Sequence, residues 1–432
     1  MKVIHLNNQL GGGAGMAALR IFQAVLNEGA DVDFLFAHGP HNHKQNFLRW
    51  EYPSQSGVNN IITKLKAKNY YRKFNKYLEG RPDHLEHFSY AKYLKPTPLP
   101  QMWQEVDLVH LHQIDNFLDY ATFFQSIPSD IPIVWSLHDM EPFTGGCHYA
   151  WDCEKYTSDC QSCPQLGPYD NRALAQKNLA IKLAALNGHD LHIVGNSHWT
   201  TARARESTLF RNSKSLQTIH YGIDLQACTT IDKSMAREVL GVGENDFCLT
   251  FAAGDLANRR KGGEEVRQLL LALSERIENL SCLIFGHGGE FLEDLPMNIR
   301  NLGFVSSPRL KSIVYSAADV FIMSSLHEAF GQTALEALAS SSPVIGFRTG
   351  GVVDMVKEGE TGFLVARGEV NALYEKVLEC YIKPELVETM SRKARLLAEN
   401  SFSSAKCGEA YVDLYQKALS SSIHHQTVNS PK

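Results

Sequence analysis

The sequence has no long hydrophobic run. Its apolar segments stay well short of the ~18 to 20 residues that a helix needs to span a bilayer. Its first 13 residues also lack the charged segment and long apolar segment that mark a secretion signal. We therefore expect a soluble, cytoplasmic protein whose nine cysteines stay reduced.

An excess of positive charge is absent as well. The chain has 42 Lys and Arg against 47 Asp and Glu, which gives a net charge of −5. A dedicated nucleic-acid-binding protein carries a basic excess over a whole domain. We therefore expect no nucleic-acid partner, and any basic surface that matters has to be local.

Short apolar runs recur along the chain, with helical patterns between them. This alternation is typical of α/β folds with parallel sheets. The strand candidates are residues 3–6, 32–36, 108–111, 133–137, 191–195, 247–252, 282–285, 320–323 and 343–346. One buried helix face is predicted by the spacing of Val266, Leu269, Leu270, Leu273 and Ile277.

The alternation falls into two stretches, which predict two domains. A turn near residues 220–224 and a polar segment up to residue 246 separate residues 1–222 from residues 223–401. Residues 40–105 show no clear β periodicity and predict an insertion of helices and loops. A C-terminal helix over 402–420 is expected to pack back on the first domain, followed by a disordered tail over 421–432.

A glycine-rich segment, residues 11–15, follows the first predicted strand and opens a helix. The backbone at Gly12 and Gly13 and the N–H groups of the helix start suit an anionic ligand. The segment lacks the dinucleotide fingerprint, because Ala14 breaks the glycine pattern and no acidic residue ends the next strand. A nicotinamide-dependent dehydrogenase therefore fits poorly, and a tight strand-to-helix turn remains the alternative.

Polar side chains also follow two strands of the first domain. His138 is the first polar group after the strand at 133–137, and ligands bind beyond the carboxyl ends of parallel strands. Asp139 lies beside it. His110 and His112 end another strand, where they fit either a pocket wall or packing.

Four cysteines crowd into the loop after His138. They are Cys147, Cys153, Cys160 and Cys163. Reduced thiols at this density suit a structural zinc or iron ion, since four thiolates leave no open position for a catalytic water. His148 is an alternative ligand, and redox-labile thiols or simple packing are the other interpretations.

In the second domain, Arg260 and Lys261 lie between a predicted strand and a predicted helix, where their charges favour binding of a diphosphate. The alternative is that both are solvated charges on a loop. Gly254 and Gly286 mark glycine turns at two strand ends. Glu328 precedes a helix predicted to start near Gly331, and its early N–H groups suit phosphate oxygens. Glu336 lies two turns further, and carboxylates accept hydrogen bonds from vicinal hydroxyl pairs.

These residues resemble the retaining glycosyltransferases of family four, over nearly the whole chain. That family has the GT-B fold, in which two Rossmann-like domains with parallel sheets face each other across a cleft. The most specific element is the pair of glutamates eight residues apart, Glu328 and Glu336. The loop from His138 to Pro164 is similar to that of bacterial enzymes that build exopolysaccharide or lipopolysaccharide.

The resemblance implies roles for individual residues. Glu328 is expected near the donor sugar, Glu336 on the nucleotide ribose, and His138 as the active-site histidine. Arg260 and Lys261 are expected on the diphosphate, although the family's Arg lies five residues before the Lys, so that Arg259 or Arg260 has to substitute. The resulting donor-binding set is Gly12, Gly13, Gly254, Arg260, Lys261, Gly286, Glu328, Phe330, Gly331, Gln332, Thr333 and Glu336. The acceptor-binding set is His110, His112 and Asp139.

The implied reaction moves a sugar from a UDP- or GDP-sugar to a hydroxyl of a saccharide or lipid-linked acceptor, in cell-surface polysaccharide synthesis. Front-face transfer is expected, because Asp139 and Glu141 have no evident partner that would make either a nucleophile. Catalysis then requires no cofactor. The alternatives are a sugar-nucleotide epimerase or hydrolase and a non-catalytic binder.

One local concentration of positive charge bears on the acceptor. Residues 64–77 hold six basic residues, no acidic ones and four aromatic ones. This stretch fits either contact with an anionic membrane or a lipid-linked acceptor at the inner face of the plasma membrane, or a solvated helix face.

Overall fold

The computed structural model describes residues 1–39, 46–50, 65, 68–72, 74–76, 78–82, 84–93, 102–166 and 173–428. Much of the predicted insertion at 40–105, and part of the basic stretch 64–77, lie outside the described residues. The chain divides into two compact units. The N-terminal unit comprises Met1–Ile219 and Gly408–Lys432, and the C-terminal unit comprises His220–Cys407. The first unit thus ends at Ile219, close to the predicted boundary at residue 222.

The N-terminal unit is built on one parallel sheet. Its strands are β1 (Lys2–Gln9), β2 (Asp31–His38), β3 (Phe47–Arg49), β4 (Leu108–Leu111), β5 (Ile133–Leu137), β6 (Leu191–Gly195) and β7 (Ser215–Thr218). Their order is β3-β2-β1-β4-β5-β6-β7. The central strands β4, β5 and β6 are buried along their whole length, which is why they appear as continuous apolar runs in the sequence. The short β3 lies in the predicted insertion, where helices and loops are expected, because three residues carry too little periodicity to reveal a strand.

Helices accompany this sheet. They are α1 (Gly12–Asn27), α2 (Tyr120–Ser126), α3 (Leu174–Leu186) and α4 (His198–Glu206). Helix α1 buries Ala17, Ile21 and Val25, which recur every four residues and therefore share one face. A Cβ atom at Gly15 would lie 2.7 Å from the Gln9 carbonyl oxygen, so glycine allows α1 to start close to the end of β1.

The C-terminal unit has a second parallel sheet. Its strands are β8 (Phe247–Asp255), β9 (Leu280–His287), β10 (Asn298–Asn301), β11 (Val320–Met323), β12 (Val344–Phe347) and β13 (Gly362–Val365), in the order β10-β9-β8-β11-β12-β13. The helices of this unit are α5 (Lys233–Leu240), α6 (Gly263–Ser274), α7 (Pro308–Ala317), α8 (Gln332–Ala339), α9 (Val352–Met355), α10 (Val370–Ile382) and α11 (Pro384–Ser401). The apolar face predicted for residues 266–277 is buried, as expected.

The last helix, α12 (Ser404–Val428), belongs to the N-terminal unit from Gly408 onward. A Cβ atom at Gly408 would lie 2.6 Å from the Ala24 carbonyl oxygen, so glycine allows α12 to pack closely on α1. The helix runs to Val428, which corrects the predicted disordered tail from residue 421; residues 429–432 lie outside the described residues.

The two predicted α/β domains with parallel sheets are confirmed. None of the helices in the described part of the chain combines the length and apolar character required to cross a bilayer.

Candidate active site

The loop after β8 holds the two cations that the sequence assigns to a diphosphate. Residues Arg259–Lys261 form a short 3-10 turn, in which the side chain of Asn258 accepts a hydrogen bond from the Arg260 N–H at 2.9 Å. Gly262 follows with φ of 72°, and a Cβ atom there would lie 2.0 Å from the Ser324 carbonyl oxygen. Glycine at this position therefore lets the cationic turn lie directly against the loop after β11.

Glu328 lies in that second loop and binds both cations. Lys261 Nζ donates to Glu328 Oε2 at 2.6 Å, and Arg260 Nη1 lies 3.6 Å from the same oxygen. Burial alone would raise the pKa of Glu328, but the charges of Lys261 and Arg260 outweigh it and hold that pKa below its ordinary value. The site is therefore a compact group of two cations and one carboxylate at the carboxyl edge of the sheet.

The structure distinguishes between the two neighbouring arginines. Arg260 is buried and also donates to the His327 carbonyl oxygen at 2.9 Å. Arg259 instead forms a bidentate pair with Glu265 on α6, at 2.7 and 2.6 Å, with 43% of its side chain exposed. Arg260 is thus the arginine that faces Glu328, which the sequence had left open.

Two further groups support the Glu328 loop. A Cβ atom at Gly350 would lie 1.4 Å from the Glu328 carbonyl oxygen, so this glycine permits a very close backbone approach. The Arg367 guanidinium contacts the ring of His327, next to Glu328. Sequence reasoning missed Arg367, because β13, the strand that precedes it, was not among the predicted strands.

Glu336, the second glutamate of the pair, is only 3% exposed on α8. Its carboxylate accepts from Lys311 Nζ at 3.1 and 3.3 Å. Lys311 lies on α7, and nothing in the sequence connects it with Glu336. A ribose hydroxyl that donates to the Glu336 carboxylate would therefore share this carboxylate with the ammonium group of Lys311.

The other predicted donor-binding residues of this unit lie at strand ends or at the start of α8. Gly254 is exposed near the end of β8, and Gly286 belongs to β9. Gly331 precedes α8 with φ of 100°, and Gln332 and Thr333 form its first turn. Phe330 is buried against Tyr221, with ring centroids 4.7 Å apart, so its side chain packs in the protein rather than lining an open surface.

In the N-terminal unit, Gly12 and Gly13 are exposed in the first turn of α1, and Gly12 has φ of 71°. No side chain caps this helix start. Anion binding at this helix start stays a prediction.

His138 directly follows β5 and is buried. Its Nε2 lies 3.0 Å from Nδ1 of His112, whose Nε2 lies 3.0 Å from Nδ1 of His5. Burial lowers the pKa of His138 to about 4, so the imidazole is neutral near pH 7. His138 is therefore the end of a chain of buried rings.

The acceptor contacts predicted for His110 and His112 are corrected, because both side chains are fully buried. His110 binds Tyr415 OH at 2.6 Å and Ser136 Oγ at 2.8 Å, while His112 bridges His138 and His5. Their partners come from β1, β5 and α12, which a sequence cannot reveal as neighbours. Packing, the other interpretation of this doublet, fits the structure.

Asp139 and Glu141 both have partners, contrary to the expectation. Asp139 Oδ2 accepts from His148 Nδ1 at 2.8 Å, and Lys182 Nζ donates to Glu141 Oε1 at 2.6 Å. Both members of the second pair are buried. Asp139 thus orients His148, and its predicted role on the acceptor has no support in these contacts.

The four cysteines line one small apolar pocket together with Phe88 and Ala175. All are free thiols, and burial raises the pKa of Cys160 to about 12. In the described part of the chain, no three of the four thiols belong to a cluster of donor atoms within 4.8 Å of one another. A structural zinc or iron ion at these thiols stays a prediction.

Residues 234–397, which include Arg260, Lys261, Glu328 and Glu336, match the family described as Glycosyl transferases group 1. This stretch is a group 1 glycosyltransferase domain. The named relatives are also glycosyltransferases, and the predicted glycosyltransferase activity and GT-B fold are confirmed. His138 and the cysteine loop lie outside the matched residues.

Three similar proteins illustrate the match. The chain is 24% identical to the putative colanic acid biosynthesis glycosyl transferase WcaC of Escherichia coli strain K12, over 96% of this chain and 100% of that protein. It is 25% identical to N-acetyl-alpha-D-glucosaminyl L-malate synthase of Bacillus anthracis, over 49% of this chain and 56% of that protein. The crystal structure of Anabaena HepE in complex with UDP and glucose superimposes with a TM-score of 0.66 at 18% identity, covering 96% and 99% of the two chains.

The extent of these matches differs. The chain spans about half the length of the Bacillus anthracis protein and of the putative glycosyltransferase EpsD of Bacillus subtilis, but all of WcaC. Beyond the group 1 domain, the likeness to HepE supports the fold.

Proposed function

We propose that this protein is a retaining glycosyltransferase that moves a sugar from a UDP- or GDP-sugar to a hydroxyl of a saccharide or lipid-linked saccharide in cell-surface polysaccharide synthesis. The observation that carries the proposal is the pairing of Lys261 and Arg260 with Glu328, at 2.6 and 3.6 Å, inside a group 1 domain. A relative named for colanic acid biosynthesis and a neighbour that holds UDP and glucose support the same substrate classes.

The site suits the stabilisation of a leaving diphosphate. Arg260 and Lys261 supply fixed positive charge in a buried setting, where it is screened less than in water. As the sugar leaves, negative charge grows on the diphosphate, and preorganised cations favour that transition state. Glu328 holds the two cations in place before the donor binds.

The contacts of the N-terminal unit support front-face transfer over a double displacement. A double displacement requires a carboxylate free to attack the sugar. Glu141 is buried and bound to Lys182, and Asp139 is bound to His148. In front-face transfer the leaving diphosphate itself takes the proton of the incoming hydroxyl, so no such carboxylate is required.

The stereochemistry of the product tests the proposal. Purified protein is first screened against UDP- and GDP-sugars by thermal shift, because a ligand of the folded state raises the melting temperature. The donor that stabilises the protein is then incubated with saccharide acceptors, and the anomeric configuration of the product is read by NMR. Retention is expected; inversion, or the absence of any stabilising donor, contradicts the proposal.

The same assay separates the alternatives. An epimerase or hydrolase consumes the donor at its full rate without acceptor, whereas a transferase requires one. A non-catalytic binder is stabilised by a donor that it never consumes.

Two parts of the proposal come from the sequence alone. The first is contact of residues 64–77 with an anionic membrane at the cytoplasmic face, where Lys64, Lys66, Lys73 and Tyr77 lie outside the described residues. Vesicle pelleting that is unchanged after neutralisation of these lysines and arginines contradicts it. The second is a structural metal at the four cysteines, which line one pocket; metal analysis of the purified protein tests it, and less than a stoichiometric amount of zinc or iron contradicts it.

A further inference from the structure

A cluster of potential metal ligands lies in the N-terminal unit, separate from the four thiols. It consists of His87, Asp115 and His148, whose donor atoms all lie within 4.8 Å of one another. Asp115 Oδ2 is 3.7 Å from Nε2 of His87 and 3.9 Å from Nε2 of His148. Three segments that are distant in sequence thus bring two imidazoles and one carboxylate to one point.

The orientation of His148 is set by Asp139. The carboxylate of Asp139 lies 2.8 Å from His148 Nδ1, so this nitrogen donates its hydrogen and Nε2 is the nitrogen that faces the cluster. Burial lowers the pKa of His148, but the carboxylates of Asp139 and Asp115 outweigh it and raise that pKa to about 10, so an ion has to displace a proton from Nε2. Histidines that bind metals commonly donate their other ring N–H to a carboxylate in this way. Asp139 therefore lies behind His148 as an orienting carboxylate lies behind a metal ligand.

His87 is oriented by Asn116. The Asn116 amide lies 3.0 Å from His87 Nε2 and 2.9 Å from Asp115 Oδ2, and an amide nitrogen is only a donor. Nε2 of His87 is consequently an acceptor. Nε2 of both rings faces the same space as the Asp115 carboxylate.

One acceptor of the cluster has no hydrogen-bond donor in the described part of the chain. The Ser89 hydroxyl lies 3.0 Å from His87 Nε2, 2.9 Å from His148 Nε2 and 2.8 Å from Asp115 Oδ2, but it has one hydrogen to donate. Asp115 Oδ1 is buried and has no hydrogen-bond partner among the described residues. A buried acceptor without a donor is costly, and a cation satisfies several acceptors at once.

The donor set and its exposure indicate the kind of cation. Two imidazole nitrogens and one carboxylate oxygen are the ligands of many zinc sites that keep an open position. Asp115 and His148 are 2% and 8% exposed at their side chains, while His87 is 56% exposed. An ion can therefore enter from the side of His87, with the two inner ligands already in place.

We propose that His87, Asp115 and His148 bind one divalent transition-metal ion, zinc by preference, with Asp139 orienting His148. The remaining coordination position is open to water or to the Ser89 hydroxyl. Such an ion joins the segment at Phe88, which pairs with Cys147, to the loop after β4 and to the loop that follows His138. It would stabilise these loops in the folded state, because the unfolded chain does not hold the three ligands together.

Cobalt binding to the full-length protein tests this site. The protein is stripped with a chelator, titrated with Co²⁺ and with Zn²⁺, and its metal content is counted. One bound ion is expected, with a visible cobalt spectrum that lacks the intense thiolate charge-transfer band in the near ultraviolet. That band would place the ion at the cysteines instead.

Variants locate the ion. His87→Ala and Asp115→Asn are expected to abolish the cobalt spectrum, and Asp139→Asn is expected to weaken binding about 10- to 100-fold, as for other orienting carboxylates. His84→Ala is the matched control, since His84 is an exposed histidine three residues before His87. His87→Ala removes an exposed side chain, and circular dichroism checks that it folds.

Three results overturn the proposal: no ion bound by the stripped wild type, a thiolate band with full stoichiometry, or binding that His87→Ala and His84→Ala leave equally unchanged. If the stripped wild type binds no ion, a proton on His148 Nε2 takes the place of the metal in the cluster. None of these results bears on sugar transfer, so the two proposals can fail independently.

Discussion

Lys261 Nζ donates to Glu328 Oε2 at 2.6 Å, which joins the loop after β8 to the loop after β11. Arg260 lies 3.6 Å from the same oxygen, so one carboxylate balances two cations. A diphosphate entering this site would meet positive charge that is already fixed in position, and this arrangement leads to two separate predictions for the two partners.

Lys261→Ala removes one of the cations that would face the leaving diphosphate. Removal of one preorganised hydrogen-bond donor from an oxyanion site lowers kcat about 10²- to 10³-fold. We expect the rate of sugar transfer to fall by a similar factor of about 10² to 10³, with a smaller effect on KM for the sugar nucleotide. Steady-state kinetics with the donor found by thermal shift measures both. Lys393→Ala, at an exposed pair with Glu360, is the matched control. A wild-type rate for Lys261→Ala would remove this lysine from the reaction.

Glu328→Gln keeps the shape of the side chain but removes its charge. Arg260 and Lys261 then lack their counter-charge, so we expect a nucleoside diphosphate to bind at least as tightly as to the wild type while transfer falls. Calorimetry with UDP and GDP, together with turnover measurements, separates the two effects. Glu265→Gln, which removes the partner of Arg259, serves as the control. Weaker diphosphate binding by Glu328→Gln would show that the carboxylate itself contacts the ligand.

The buried histidines predict a loss of stability in mild acid. Burial lowers the pKa of His138 to about 4 and that of His5 to about 3, whereas an unfolded histidine titrates near 6.5. Below about pH 6.5 the unfolded chain binds protons that the folded chain excludes, so stability is complete above that pH and falls as the pH drops towards 4. Each histidine contributes at most about 1.4 kcal/mol per pH unit.

Urea unfolding between pH 7.5 and 5 measures this slope, in a range where most carboxylates remain ionised. His138→Gln should make the slope shallower by about one proton, since glutamine does not titrate. An unchanged slope would mean that His138 is not kept neutral by its surroundings.

Gly350→Ala should destabilise the C-terminal unit. Gly350 has φ of 48°, and a Cβ atom there would lie 1.4 Å from the Glu328 carbonyl oxygen. Gly359→Ala is the control, because Gly359 has φ of 68° but its nearest neighbour would be 4.0 Å away. The control should lose only about 1 to 2 kcal/mol for the left-handed conformation, and Gly350→Ala clearly more. Equal losses by denaturant unfolding would contradict the close approach at Glu328.

Local patterns were sufficient for much of the fold. Continuous apolar runs identified strands such as β4, β5, β6 and β11, because a central parallel strand is buried on both faces and needs no partner in the sequence to reveal it. Four strands in the described part of the chain were not predicted. The short or polar strands β3, β7 and β10 were missed since their pairing depends on neighbours rather than on their own residues, and the buried, apolar β13 was missed as well.

The candidate site was found for a related reason. Arg260, Lys261 and Glu328 each follow a strand, and the carboxyl ends of parallel strands meet at one edge of a sheet. Their positions directly after predicted parallel strands were therefore enough to expect these side chains at one edge of the sheet. The sequence did not show which of the two arginines faces Glu328. This depends on the turn that directs Arg260 to Glu328 and Arg259 to Glu265.

The sequence alone thus determined the two α/β domains, the positions of the glycine turns and the cationic loop, since each is encoded in a short stretch of neighbouring residues. Only the tertiary structure decided the partners of the buried charges and rings, such as Lys311 at Glu336, His5 at His112 and Asp139 at His148. These pairs depend on strand order, register and helix packing, which bring together side chains that no local spacing connects.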